Sequence, residues 1–239
     1  SVHQVRVAMY KHALPAFGSI PVASITKRDV NRLINKIVDA GSPIAANRVL
    51  AFTKRFFSWC RERDILELSP AEAIRPPSKE KTRDRVLTLE EMKKFWVACD
   101  QISYPWGPIF QLLLLTGARL REVAQASWDE ISIVDRTLDL PARRTKNGRS
   151  HQIQLSVQAM NIIQALPKVE GQGLLFTTNG KTAVSGFSKV KKRLDIISGV
   201  SDWRYHDLRR SFATHSTERL GISPVIADKI LNHATGQVR

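Results

Sequence analysis

The sequence predicts a mainly α-helical protein with one small antiparallel β-sheet in its second half. Three observations predict it. Apolar residues recur three and four positions apart behind capping residues over most of the 239 positions. Between Ile131 and Leu155 the period changes to two, with the turn dipeptide Asn147-Gly148 inside the stretch. From Arg75 to Arg85, Pro76-Pro77 and a polar run without apolar period interrupt the pattern and divide the chain.

The first helix signal is Thr26-x-x-Asp29, a hydroxyl and a carboxylate placed to cap each other's backbone N–H. Val30, Leu33, Ile34, Ile37 and Val38 follow at helical spacing, so Lys27 to Ala40 reads as an amphipathic helix stopped at Gly41. Ser42-Pro43 then offers an N-cap and a proline at the first helical position, and Val49, Phe52, Phe56 and Cys60 carry an apolar stripe toward Ile65. Arg48, Lys54, Arg55, Arg61 and Arg63 occupy its other faces. Beyond the break, Thr88-x-x-Glu91 opens a helix to about Cys99, and Pro108 to Leu115 reads as a buried helix ended by Thr116-Gly117. Arg119 to Ala126 resumes helix. Leu138 and Leu140, then Ile153 and Leu155, alternate with polar neighbours as strands joined by a hairpin at Asn147-Gly148. Helical spacing returns over Val157–Leu166, Val184–Ile196, His206–Arg219 and Pro224–Leu231.

Composition narrows the function classes. With 43% hydrophobic and 25% charged residues the chain can bury a core, and 12 glycines and 11 prolines are too few for a low-complexity protein. The longest apolar run, Ile109 to Leu115, is far short of a bilayer span, and no charged-then-apolar leader pattern is found, so a membrane location is not expected. Cys60 and Cys99 belong to no Cys-x-x-Cys or zinc-spaced cluster and read as small core residues in a reducing compartment. The 37 lysines and arginines against 22 acids leave a net charge of +15, which asks for a polyanionic partner. Both parts of the chain share it, with 13 basic against 7 acidic residues up to Glu80 and 24 against 15 beyond.

Four places hold residues suited to chemistry on such a partner. Thr116-Gly117-Ala118-Arg119-Leu120-Arg121-Glu122 sets an arginine just after a tight turn; the plain structural alternative is an arginine paired with Glu122 on a solvated first turn. Lys146 lies beside Asn147-Gly148 among Arg143, Arg144 and Arg149, where an exposed basic turn is the alternative. His206-Asp207-Leu208-Arg209 sets an imidazole and a guanidinium on one helical face, a spacing that His3 and Arg6 also show. His233 follows a helix end that it could simply cap. Taken singly, each of the four admits its plain alternative; their order and spacing together single them out.

That combination resembles the tyrosine recombinase family, the phage-type integrases. Thr-Gly-x-Arg with Glu122 is similar to the family's first arginine box, Lys146 to its hairpin lysine, His206-x-x-Arg209 to its second box, and Leu231-Asn232-His233 to its third. Upstream, Ala46-Asn47-Arg48, Phe56-Phe57-Ser58-Trp59 and Leu68-Ser69-Pro70-Ala71 resemble the helical core-binding domain of prophage integrases. The resemblance implies a helical DNA-binding domain over 1–77, a linker over 78–85 and a mostly helical catalytic domain over 86–239. It implies a C-shaped clamp on double-stranded DNA, a homotetramer on DNA from a chain that is monomeric when free, and a cytoplasmic, nucleoid-associated life in a bacterial host. Arg48, Lys54, Arg55, Arg143, Arg144 and Arg149 are the expected DNA contacts.

The chemistry accounts for the residue types. Cleaving a phosphodiester without metal needs fixed positive charge on the non-bridging oxygens, and the planar forks of Arg119 and Arg209 supply it. Lys146 would protonate the leaving oxygen, His206 would act as general base, His233 would donate to the phosphate, and Glu122 would orient His206 or brace the fold. No metal or other cofactor is expected. The family's nucleophilic tyrosine should follow the last histidine by roughly ten residues, whereas the sequence ends at Arg239; Tyr10, Tyr104 and Tyr205 lie elsewhere. The expectation is therefore a recombinase sequence cut before its nucleophile and inactive for cleavage by itself. A non-enzymatic DNA-binding regulator, or a type IB topoisomerase-like or chromosome-resolving enzyme, stays open as an alternative.

Overall fold

The computed structural model describes residues 2–80, 82–168, 171 and 173–232. They divide into two units, Ser1–Arg83 and Asp84–Arg239.

The first unit opens on a helical stretch that the sequence did not announce: α1 (Val2–Ala8), a π-helical turn Met9–Ala13, and α2 (Leu14–Phe17). Neither the π-helical turn nor α2 carries a side-chain cap, and the stretch buries only Ala13, so little apolar periodicity marks it. α3 (Lys27–Asp39) starts at the expected capping box, with Asp29 N–H donating to Thr26 Oγ1 at 3.3 Å and Thr26 N–H to Asp29 Oδ2 at 3.0 Å. α4 (Pro43–Glu62) follows, but Ser42 makes no side-chain cap; Pro43 at the first position has no N–H to satisfy. Val30, Leu33, Ile34 and Ile37 of α3 bury against Ala46, Val49, Leu50 and Phe57 of α4, and Ala13, Ile25, Ala71 and Ile74 complete this core. Ser78, past the prolines, is tied back to α4 by Asn47 Nδ2 donating to its carbonyl at 2.7 Å and its N–H donating to Asn47 Oδ1 at 3.2 Å.

The second unit is built around α6 (Trp106–Thr116), whose Ile109, Phe110, Leu112, Leu113 and Leu114 are buried. Packed on it are α5 (Leu89–Asp100), α7 (Leu120–Ala124), α8 (Val157–Gln164) and α10 (Tyr205–Glu218). α9 (Phe187–Ser198) covers α5, and α11 (Pro224–Ile230) rests on α10. Thr88 and Glu91 form the expected capping box of α5, through Glu91 N–H to Thr88 Oγ1 at 3.2 Å and Thr88 N–H to Glu91 Oε2 at 2.8 Å.

The sheet has three antiparallel strands in sequence order, β1 (Ile131–Ser132), β2 (Thr137–Leu140) and β3 (His151–Gln154). Leu138 faces Ile153 and Leu140 faces His151. Asn147-Gly148 therefore does not close a two-residue hairpin as expected. It lies within the connection 141–150, after a 3-10 turn Ala142–Arg144, where Gly148 still takes the left-handed conformation at φ 68°. The fold is thus mainly α with a small antiparallel sheet. Both cysteines are buried and in no disulfide, with burial pushing the Cys99 thiol well above its ordinary pKa. No helix among the described residues is long and apolar enough to cross a membrane.

Candidate active site

The end of α6 sets the site. Gly117 caps that helix in the left-handed conformation, φ 62°. A Cβ there would come within 2.5 Å of Phe212 Cδ1 and 2.8 Å of Leu231 Cδ2, so only glycine lets α6, α10 and α11 meet this closely. Two residues on, Arg119 is the N-cap of α7, in extended conformation. Glu122, buried one turn later, accepts from the Arg119 backbone N–H at 2.9 Å and from Arg119 Nη1 at 2.7 Å. The sequence offered Glu122 as a partner of His206 or a brace; its carboxylate braces Arg119.

Arg209 comes from the second turn of α10 and is 3% exposed. Nη1 donates to Gly117 O at 2.9 Å and Nη2 to Leu231 O, while Nε is buried without a hydrogen-bond partner among the described residues. Burial, then the nearby Arg119 guanidinium, push its pKa down to about 10 against the pull of Glu122. It stays a cation at neutral pH.

A third donor was missed by the sequence reasoning. His151, opening β3, shares the inward face of Ile153, and its Nε2 lies 3.1 Å from Ile230 O. Burial lowers its pKa first, with Arg209 and Arg119 adding to this and Glu122 and the Ile230 bond opposing. The ring is therefore neutral near pH 7, with its proton on Nε2, because a carbonyl only accepts. The signal in the sequence was a histidine in phase with buried strand residues.

Three successive carbonyls ending α11 thus receive donors from three elements: Ile230 from His151, Leu231 from Arg209, and Asn232 from Arg119 Nη2 at 3.4 Å. Such carbonyls carry the partial negative charge of a helix end. Asn232, left-handed at φ 49°, also accepts on Oδ1 from Asn147 Nδ2 at 2.7 Å.

The remaining expected residues sit around this turn or elsewhere. His206 is exposed one turn before Arg209 on α10. Lys146 is exposed in the loop before β3, which Thr145 Oγ1 closes by donating to Arg149 O at 2.7 Å. His233 lies outside the described residues. Arg143 and Arg149 are exposed on the same loop, and Arg48 on α4. Lys54 donates to Glu72 O at 3.1 Å, and Arg55 pairs with Glu62 at 3.0 Å on the surface.

Arg144 sits differently from the other expected DNA contacts. Its side chain is turned inward, 14% exposed, onto the Glu130 carboxylate and the carbonyls of Arg121 and Glu122, so it braces the sheet against α7 rather than facing a phosphate.

Neither tyrosine of the second unit presents an attacking oxygen to the arginines. Tyr205 donates to Phe187 O at 2.6 Å, stacks on Phe110, and has its pKa pushed up to about 12 by burial and then by Asp195. Tyr104 donates to Leu175 O at 3.0 Å and accepts from Thr177 N–H, and Tyr10 lies in the first unit. Among the described residues no group of three or more His, Cys, Asp or Glu could hold a metal ion.

Comparison with known proteins bears on this arrangement. The profile of the phage integrase family matches residues 85–238, and that of the phage integrase central domain matches residues 1–76. The chain belongs to the phage integrase family. Within the family it is 29% identical over 236 residues to the shufflon-specific DNA recombinase of Escherichia coli, covering 95% of this chain and 59% of the relative. Prophage integrase IntZ of E. coli K12 is 25% identical over 240 residues, covering 99% and 60%. Tyrosine recombinase XerD of Mycobacterium tuberculosis is 24% identical over 256 residues, covering 95% and 80%. This integrase-family chain thus spans about 60% of the length of the first two relatives. Its fold is similar to a lambda integrase dimer bound to a COC' core site, with a TM-score of 0.78 at 19% identity over 97% of this chain and 86% of that one. A lambda integrase tetramer bound to a Holliday junction gives 0.77 at 19% identity, covering 98% and 73%.

Proposed function

We propose that this chain is the DNA-binding and phosphate-activating part of a site-specific recombinase that integrates or excises a phage or other mobile element. The observation that carries the reading is the convergence of Arg119 and Arg209 on one turn, with Glu122 the one carboxylate bonded to either guanidinium there among the described residues, so that positive charge is left over for an anion. Two forked guanidiniums on the non-bridging oxygens of a phosphodiester stabilise the charge that builds in the transition state. A tyrosine oxygen attacks phosphorus, the P–O5′ bond breaks, and the product is a 3′-phosphotyrosyl ester with a free 5′ hydroxyl. His206 takes the tyrosine proton, Lys146 gives a proton to the departing 5′ oxygen, and His233 donates to the phosphate. The ester keeps the energy of the broken bond, so rejoining needs neither nucleotide hydrolysis nor metal. The partner is duplex DNA, the assembly on DNA is a homotetramer of a chain monomeric when free, and the location is the bacterial cytoplasm at the nucleoid.

The nucleophile in this reading is none of Tyr10, Tyr104 and Tyr205. The test uses a nicked suicide duplex carrying the attachment site. Ser1–Arg239 should bind it without forming a denaturation-resistant adduct, while the full-length natural protein should form one equally well in excess EDTA. Replacing Arg119 or Arg209 by alanine in the full-length protein should slow adduct formation by about 100-fold or more. An adduct from Ser1–Arg239 alone would overturn the exclusion of Tyr205, and a full-length protein that binds without ever cleaving would leave a DNA-binding regulator as the function.

A further inference from the structure

The loop that carries Lys146 is fastened to the end of α11 at two points. Asn147 Nδ2 donates to Asn232 Oδ1 at 2.7 Å on the exposed side, and His151 Nε2 donates to Ile230 O at 3.1 Å on the half-buried side. Between them Thr145 Oγ1 closes the loop on Arg149 O at 2.7 Å. The same turn of α11 accepts from Arg209 at Leu231 and from Arg119 at Asn232. The turn is therefore a common reference for the hairpin and for both guanidiniums.

We propose that His151 is a positioning residue that registers the Lys146 loop against the α11 turn held by Arg119 and Arg209, so that the ammonium and the two guanidiniums face one phosphate. The inference rests on the proposed function, in which Lys146 protonates the leaving oxygen. The ring suits the task. The groups facing it are Glu122 of α7, Arg119 at its N-cap, Arg209 of α10 and the Ile230 carbonyl of α11. Beside two guanidiniums a neutral donor holds the carbonyl without adding a third cation, as lysine or arginine would. Being half-buried, the bond is better shielded from competing water than the exposed Asn147–Asn232 pair.

The test measures single-turnover cleavage by the full-length natural protein on two suicide duplexes, one with the ordinary bridging 5′ oxygen and one with sulfur there. A thiolate leaves without a proton, so the sulfur substrate bypasses the general acid. Lys146→Ala should be slowed by about 100-fold on oxygen and be near wild type on sulfur. His151→Ala should be slowed by about tenfold on oxygen and return to within about threefold of wild type on sulfur, with DNA affinity unchanged. His151→Gln, which keeps a neutral donor, should retain most of the oxygen rate; His151→Leu, which keeps bulk on the strand face, should behave like the alanine variant and serves if that variant folds poorly. Should sulfur rescue Lys146→Ala but neither His151→Ala nor His151→Leu, the positioning role is overturned while that of Lys146 stands. Should sulfur fail to rescue Lys146→Ala, the general-acid assignment falls and the positioning role with it.

Discussion

Arg209 and Arg144 are both inward-facing arginines, and what each touches separates their roles. Arg144 meets a carboxylate, Glu130, so its charge is neutralised within the fold. The bonded partners of Arg209 are two neutral carbonyls, with Arg119 as a second cation nearby and Glu122 already engaged by Arg119. The first pair is a brace; the second is an unspent charge. His151 shares this electrostatic environment, and its titration gives a test. An unfolded histidine titrates near its ordinary value of 6.5, and the folded ring below it, so between those two points the unfolded chain binds more protons. Its contribution to stability is complete above the unfolded value and is lost as pH falls through the folded one. Thermal melting of Ser1–Arg239 from pH 7.5 down to about pH 5 should lower Tm more for the wild type than for His151→Gln. Parallel descents of the two proteins would mean that the ring is not held neutral.

At the scale of elements, the weight falls on the junction of α6, α10 and α11. Gly117 ends the first, packs against Phe212 of the second and Leu231 after the third, and offers its carbonyl to Arg209. Gly117→Ala should therefore cost the left-handed backbone penalty and the overlap with both side chains, together about 2–4 kcal/mol, seen as a lower urea midpoint. An unchanged midpoint would mean that the junction has slack to give. Gly117 and the Thr26 and Thr88 boxes could be read from sequence because the residues that make them lie within a few positions of each other. The strand register could not. Leu140 pairs with His151 across a ten-residue connection, and Asn147-Gly148 specifies only a local bend within it. The α1–α2 stretch buries only Ala13, so it lacked the apolar period that announces the other helices. In the site, Arg119, Arg209 and Glu122 were visible as side chains at helical spacing. The carbonyls of Gly117, Ile230 and Leu231 were not, because every residue has one and only tertiary placement makes it a partner. The pairing of Arg144 was hidden for the same reason: Glu130 lies 14 positions away and meets it only through the fold.

For the whole molecule, the surplus of 15 positive charges sets how it should meet DNA, since each lysine or arginine that reaches a phosphate releases condensed counterions. Affinity of Ser1–Arg239 for duplex DNA should fall steeply and linearly on a log–log plot against salt, and the slope counts phosphate contacts. Both units carry the excess, so single substitutions in either should each remove part of it. The structure sorts which ones. Arg48, Arg143 and Arg149 are exposed, and replacing any one by alanine should make the slope shallower by about 1 without changing the melting temperature. Arg144→Ala should do the opposite: it leaves Glu130 as an unpaired buried carboxylate, costing about 3 kcal/mol of stability, and leaves the salt slope as it was. Titrating binding across salt for these four variants beside urea denaturation separates charge that faces DNA from charge that holds the fold. If Arg144→Ala flattened the slope while the protein stayed as stable as wild type, the inward ion pair with Glu130 would not be what occupies that guanidinium in solution.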